Sequence, residues 1–197
     1  MSEIVRLPME PLPGFKSREA ALFLAQLDDQ LERLREATRG LTPEDLMWQP
    51  APGMNTIGML LAHLAVVEVW WTAIVIEEQP ADPTIDIVRP VLGIGADDDG
   101  LPLAEDAPPF PLLNGKDLAF YDNLLDKARG YFKRVVKDRP EEDMERTFQR
   151  TRPDGSIRER NVRWYYYHVL EHFAGHFGQI LLMRHLLRAR SGERALR

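Results

Sequence analysis

Four of the chain's five histidines, His168, His172, His176 and His185, fall in one stretch near its C-terminal end, and the first three recur at every fourth residue. On an α-helix, residues four apart stand one above the other. Two imidazoles of such a row can therefore converge on one divalent ion through bonds of about 2.0–2.1 Å. Three cannot, because a rise of about 1.5 Å per residue puts His168 and His176 about 12 Å apart along the axis. The row thus offers two candidate pairs, His168 with His172 or His172 with His176, and His172 belongs to both. Imidazoles merely hydrogen-bonded in a core would show the same spacing, so a ligand from elsewhere is needed before the pattern means metal. His63, the one histidine outside the row, interrupts the apolar run Met59-Leu60-Leu61-Ala62-His63-Leu64-Ala65. A buried imidazole needs a partner, and helices packed about 8–10 Å apart bring side chains on facing helices to a shared ion.

Around this row the remaining chemistry is sparse. Cysteine is absent, which excludes thiolate ligands, a cysteine nucleophile and disulfide staples, and leaves His, Asp, Glu and water. Glu171, three residues after His168, is the candidate carboxylate to orient an imidazole or accept a proton, with a solvated helix residue as the plain alternative. Trp70, Trp71, Tyr165, Tyr166 and Tyr167 read as core and interface rather than a substrate platform. Gln179 reads as a packing or hydrogen-bonding residue, and His185 as a surface or interface residue. A net charge of −6 and a pI near 5.4 oppose contact with a phosphate backbone, so no nucleic-acid partner is expected.

The elements that must position these groups follow from periodicity and caps. Residues 1–16 are punctuated by proline and carry no apolar signal core, so an extended segment and a cytoplasmic location are expected. Ser17 caps a first helix running to about Arg39, on which Leu24, Leu27, Leu31 and Leu34 share a face; Gly40 ends it. Thr42-Pro43-Glu44-Asp45 reads as one short helical turn. A second long helix from Asn55 to about Glu78 is nearly apolar between Ile57 and Ile76, about the length of a membrane span. His63 and Glu68 sit inside that run with no second span to pair them, which favours a helix buried in a bundle and no membrane.

Residues 80–115, rich in proline and glycine and carrying Asp97-Asp98-Asp99, read as a long surface excursion, a lid or solvated padding. A third helix spans about Lys116 to Asp138. Between 147 and 160 a turn signature at Arg152-Pro153-Asp154-Gly155 predicts a small hairpin or extended loop. Five arginines in 147–163 make this the one basic stretch, read as a solvated edge before an anion site. Asn161 caps the fourth helix, about Val162 to Arg190, which carries the histidine row. With 197 residues and one core, the expectation is an all-α, single-domain four-helix bundle over 1–197, with a long loop between helices 2 and 3 and the hairpin or loop before helix 4.

Two segments carry a resemblance: Asn55-Thr56-Ile57-Gly58-Met59-Leu60-Leu61-Ala62-His63, and Glu171-His172-Phe173-Ala174-Gly175-His176-Phe177-Gly178-Gln179-Ile180. A histidine in helix 2 and an H-x-x-x-H-x-G-Q run in helix 4, preceded by the turn Asp154-Gly155, resemble the DinB/YfiT-like superfamily of metalloenzymes. Arg163-Trp164 with His168 resembles one of its branches. The resemblance implies a bundle binding one zinc or nickel ion through His63, His172 and His176, with His168 one turn above as a pocket residue or alternative ligand. It further implies a homodimer and an S-transferase or isomerase that takes a low-molecular-weight thiol of the bacillithiol or mycothiol type to a small-molecule electrophile. The chain departs at Phe177, where many relatives carry arginine. Three imidazoles leave a divalent ion an open position, as catalytic sites do. Two rivals use the same ligands: a hydrolase in which water fills that position, and a non-catalytic stress-related or ligand-binding bundle whose metal is structural or vestigial.

Overall fold

The computed structural model describes residues 8–82, 84–152, 154–190 and 192, so Met1–Leu7 of the expected extended segment and Pro153 of the turn signature lie outside the described residues. Four long helices and a small sheet organise the chain: α1 (Arg18–Thr38), a short α2 (Pro43–Met47), α3 (Ile57–Trp71), a single turn α4 (Arg89–Leu92), α5 (Leu118–Val136), strands β1 (Thr147–Thr151) and β2 (Ile157–Asn161), and α6 (Val162–Arg190). The long helices surround one core, with α3 packed on α5 and α6, and α1 on α6 and α5.

The caps explain most boundaries. Ser17 Oγ accepts from the Ala20 N–H at 3.0 Å, and Thr42 and Asp45 form a reciprocal capping box. The Asn161 side chain accepts from the Trp164 N–H at 3.0 Å and starts α6. Helix α3 starts one residue later than Asn55 suggested: Thr56 is the cap, its hydroxyl accepting from Met59 N–H at 3.1 Å. At its far end α3 widens into a π-helical stretch, Thr72–Ile76, where the Thr72 hydroxyl donates to the Glu68 carbonyl at 2.6 Å.

α3 is apolar all round because it is covered all round. The 20-residue run Ile57–Ile76 has a mean hydropathy of 2.0, and 78% of its most apolar window is buried by the surrounding helices. Its one acid is accounted for by a partner on α5. The Arg129 guanidinium donates to both Glu68 carboxylate oxygens at 2.7 and 3.0 Å and to Asp28 on α1 at 2.8 Å, with Lys133 donating to the other Asp28 oxygen at 2.6 Å. Three helices are thus joined by one buried charge network.

Near its start α3 passes very close to α5. A Cβ on Gly58 would stand 2.4 Å from the Tyr121 hydroxyl and 3.1 Å from the Leu46 carbonyl oxygen. Gly58→Ala must therefore displace a fully buried tyrosine, and a stability loss of about 1–3 kcal/mol is expected in urea unfolding despite alanine's better helix propensity. A neutral or stabilising result would show that Tyr121 moves at no cost.

The 80–115 segment is neither detached lid nor padding. Val88, Leu92, Ile94 and Leu113 are buried in the common core, and the Gly53 N–H and Gln49 side chain donate to the Ala107 carbonyl at 3.0 and 2.8 Å. The hairpin forms as expected, with Thr147 opposite Asn161 and Thr151 opposite Ile157.

Candidate metal centre

His63 on α3 and His172 and His176 on α6 meet where the two helices face each other. The Nε2 atom of His172 lies 3.1 Å from Nε2 of His63 and 3.1 Å from Nε2 of His176. All three ligand nitrogens fall within 4.8 Å of one another. Metal–nitrogen bonds of about 2.0–2.1 Å at a tetrahedral angle separate their donors by about 3.3 Å, so the spacing is already that of a coordination shell.

The outer ring nitrogens say which tautomers are present. His63 Nδ1 donates to Asp99 Oδ2 at 2.8 Å, and His176 Nδ1 donates to the Gln179 amide oxygen at 2.7 Å. Both rings therefore turn an Nε2 lone pair toward the Nε2 of His172, whose single proton could serve at most one of them. Burial, followed by the neighbouring imidazoles, pushes His172 down to about 3; burial also lowers His176, against the Gln179 hydrogen bond. Both are neutral at physiological pH, the form that ligates. With the His172 proton on Nδ1, three lone pairs converge on one point, an arrangement that fits a divalent cation.

Asp99 is the functional residue that sequence reasoning missed. It is 2% exposed, its second oxygen accepts from the Leu101 N–H at 2.9 Å, and it reaches His63 from the long loop. The turn that aims it requires glycine next door: Gly100 has φ +76°, and a Cβ there would stand 2.4 Å from the Phe110 Cβ. The signal available was the Asp97-Asp98-Asp99 run itself, which reads as solvated unless its partner is known. Since carboxylates behind a ligating histidine fix its tautomer and raise its basicity, Asp99→Ala is expected to weaken metal binding about 10–100-fold in chelator competition with the helices intact. Unchanged affinity would remove Asp99 from the site.

The remaining candidates sit around this centre. His168 stands one turn above, its ring 6.0 Å from that of His172, stacked on Trp164 at 4.7 Å and edge-on to Trp71 at 5.3 Å. It forms a wall of a 620 Å³ cavity rather than joining the three converging nitrogens. Glu171 is largely exposed and lies 3.5 Å from His168 Nδ1, so its contact is with the pocket histidine and not with the three ligand candidates. His185 is exposed. Tyr165 and Tyr166 are buried in the core, with the Tyr165 hydroxyl 2.7 Å from that of Thr72, while Trp71 serves both core and cavity. On the other side of His63 a second cavity of 360 Å³ opens between Gly53, Asn55 and Leu101–Leu103.

A helical core in which two facing helices bring three imidazoles to one point is consistent with the DinB-like class of helical proteins. Within that class the match is specific: the family model for mycothiol-S-transferase covers residues 22–189, and the chain belongs to that family. No curated protein shows significant similarity to the chain.

Proposed function

We propose that the protein is a metal-dependent S-transferase that joins a low-molecular-weight thiol, of the mycothiol type named by its family, to a small electrophile. The observation that carries the reading is the convergence of His63, His172 and His176, with the outer nitrogens of His63 and His176 already committed to Asp99 and Gln179. These three residues would hold one zinc or nickel ion. When bound, such an ion lowers the pKa of a coordinated thiol, so that thiolate is supplied at neutral pH. The chain's own residues do the rest. Asp99 and Gln179 hold the tautomers of His63 and His176, and Trp71 and Trp164 line the adjoining cavity. Glu171 lies 3.5 Å from Nδ1 of His168, the pocket histidine one turn above the centre. In the transfer the sulfur forms a bond to the electrophilic carbon, the thiol proton leaves to solvent, and the displaced group departs with the electron pair of its bond.

The test is conjugation of mycothiol, and in parallel bacillithiol, to monobromobimane by metal-loaded and chelator-stripped protein. Thioether formation that depends on metal and on His172 is expected. Metal-dependent hydrolysis of esters or amides in the absence of thiol would replace this reading with a hydrolase. A large fall in melting temperature on stripping, with no turnover of either kind, would make the metal structural.

A further inference from the structure

The hairpin that roofs the 620 Å³ cavity is left unused by thiol transfer, and its composition is peculiar for a roof. Phe148 pairs with Arg160, and Arg150 stands directly opposite Arg158. Side chains alternate along a strand, so Phe148, Arg150, Arg158 and Arg160 share one face, and all four line the cavity, with Arg152 joining them at the end of β1. Like charges directly opposite each other destabilise a strand pair. Nevertheless, among the described residues no carboxylate forms an ion pair with Arg150, Arg158 or Arg160, and none of their guanidinium groups makes a hydrogen bond, whereas Arg152 lies within the field of the exposed Asp154. Arg163, one turn into α6, shows the contrast: Glu19 and Glu145 both hold it.

What holds two of the roof arginines is aromatic. The Arg150 guanidinium carbon lies 5.0 Å from the Trp71 ring centre and 5.3 Å from that of Trp70, and Arg160 lies 4.0 Å from Trp164. A cation–π contact fixes a guanidinium while leaving its N–H donors free for an acceptor. Trp71, Trp164 and His168 complete the cavity lining, and His168 adjoins His172. The cavity volume suits a small molecule, and a chain of net charge −6 is a poor partner for a polyanion.

We infer that this cavity binds a small organic anion, a carboxylate or phosphate ester on a flat unsaturated or aromatic body, and presents it to the histidine centre as a co-substrate. The inference names the substrate class for the transfer proposed above and rests on that reading only for the word co-substrate. The roof arginines take the anionic group from their places over Trp71 and Trp164, and the flat body packs against Phe148 and the edges of those two rings.

Tryptophan fluorescence of the full-length protein, titrated with 1-naphthyl phosphate, 1-naphthol and inorganic phosphate, tests it. Naphthyl phosphate is expected to bind at least about 10-fold more tightly than naphthol, since one charge-assisted hydrogen bond carries that much. Arg150→Gln/Arg158→Gln should lose at least about 10-fold in that affinity while metal content and melting temperature stay at wild-type values, and Arg134→Gln, on the exposed side of α5, should lose nothing. Equal affinity for naphthol, or a double variant within about twofold of wild type, overturns the anion site. Binding is read without thiol, so a protein that binds naphthyl phosphate but never conjugates a thiol overturns the transfer reading and leaves the anion site standing. With turnover in hand, competition by naphthyl phosphate against the electrophile assigns the site to the electrophile, and competition against the thiol assigns it to the thiol. Inhibition of neither overturns the co-substrate role.

Discussion

His172→Ala is expected to empty the centre of metal and to abolish any metal-dependent turnover while leaving the helical content unchanged. The reason is positional. His172 Nε2 is the atom that both other ligand nitrogens approach at 3.1 Å, and it sits between an imidazole from its own helix and one from α3. Removing it leaves His63 and His176, two ligands from different helices. Since loss of a residue merely behind a ligand weakens metal binding about 10–100-fold, loss of the central ligand should exceed that, and as-purified metal stoichiometry should fall close to zero. His168→Ala is the matched comparison. It removes a pocket wall one turn away, so metal should be retained. The reverse pattern, with metal lost in His168→Ala and kept in His176→Ala, would move the site up one turn and sink the assignment made here.

The largest stability effect is expected from Arg129→Met. The guanidinium is 4% exposed and forms a bidentate pair with Glu68, itself 3% exposed; methionine would fill similar space but leave that carboxylate buried without a countercharge. Breaking one partner of a buried pair costs about 3–5 kcal/mol, a large part of the roughly 5–15 kcal/mol that holds a domain together. Replacing both, as Arg129→Met/Glu68→Leu, should recover most of the loss, because the two desolvation costs vanish together. Asp28 keeps Lys133 in either variant. Chemical denaturation of the two single variants and the double measures the coupling. A loss below about 1 kcal/mol in Arg129→Met would mean that water reaches Glu68 once the arginine is gone. The network also matters to the centre, since the Arg129 guanidinium lies 6.0 Å from the ring of Phe173, the residue next to His172 on α6.

Much of the scaffold was legible because it is written in local, periodic terms. The four-residue leucine spacing of α1, the Ser17 and Asn161 caps and the glycine at the end of α1 act within a few residues of themselves, and each element formed about where those signals put it. The all-round apolarity of Ile57–Ile76 was harder, since a membrane span and a covered core helix share it. The pairing of Glu68 with an arginine 61 residues away supports the covered helix, and no window of sequence contains that pairing.

Helix geometry by itself determined that the histidine row must be read as pairs and that His172 belongs to either pair, because rise per residue is a property of the backbone and not of the fold. Spacing left open which pair His63 joins; the family resemblance implied His172 with His176, and the tertiary structure brings those three together, because the choice depends on the depth at which α3 crosses α6. Asp99 was illegible for the same reason at greater distance: it lies in an irregular loop with no period, 36 residues from the histidine it holds, and its burial exists only once the loop has docked. The hairpin arginines sit between these cases. Their alternation was visible in the chain, but whether that face looks to solvent or down onto Trp71 and Trp164 is set by how the hairpin folds back on α6, a long-range contact that local spacing does not encode.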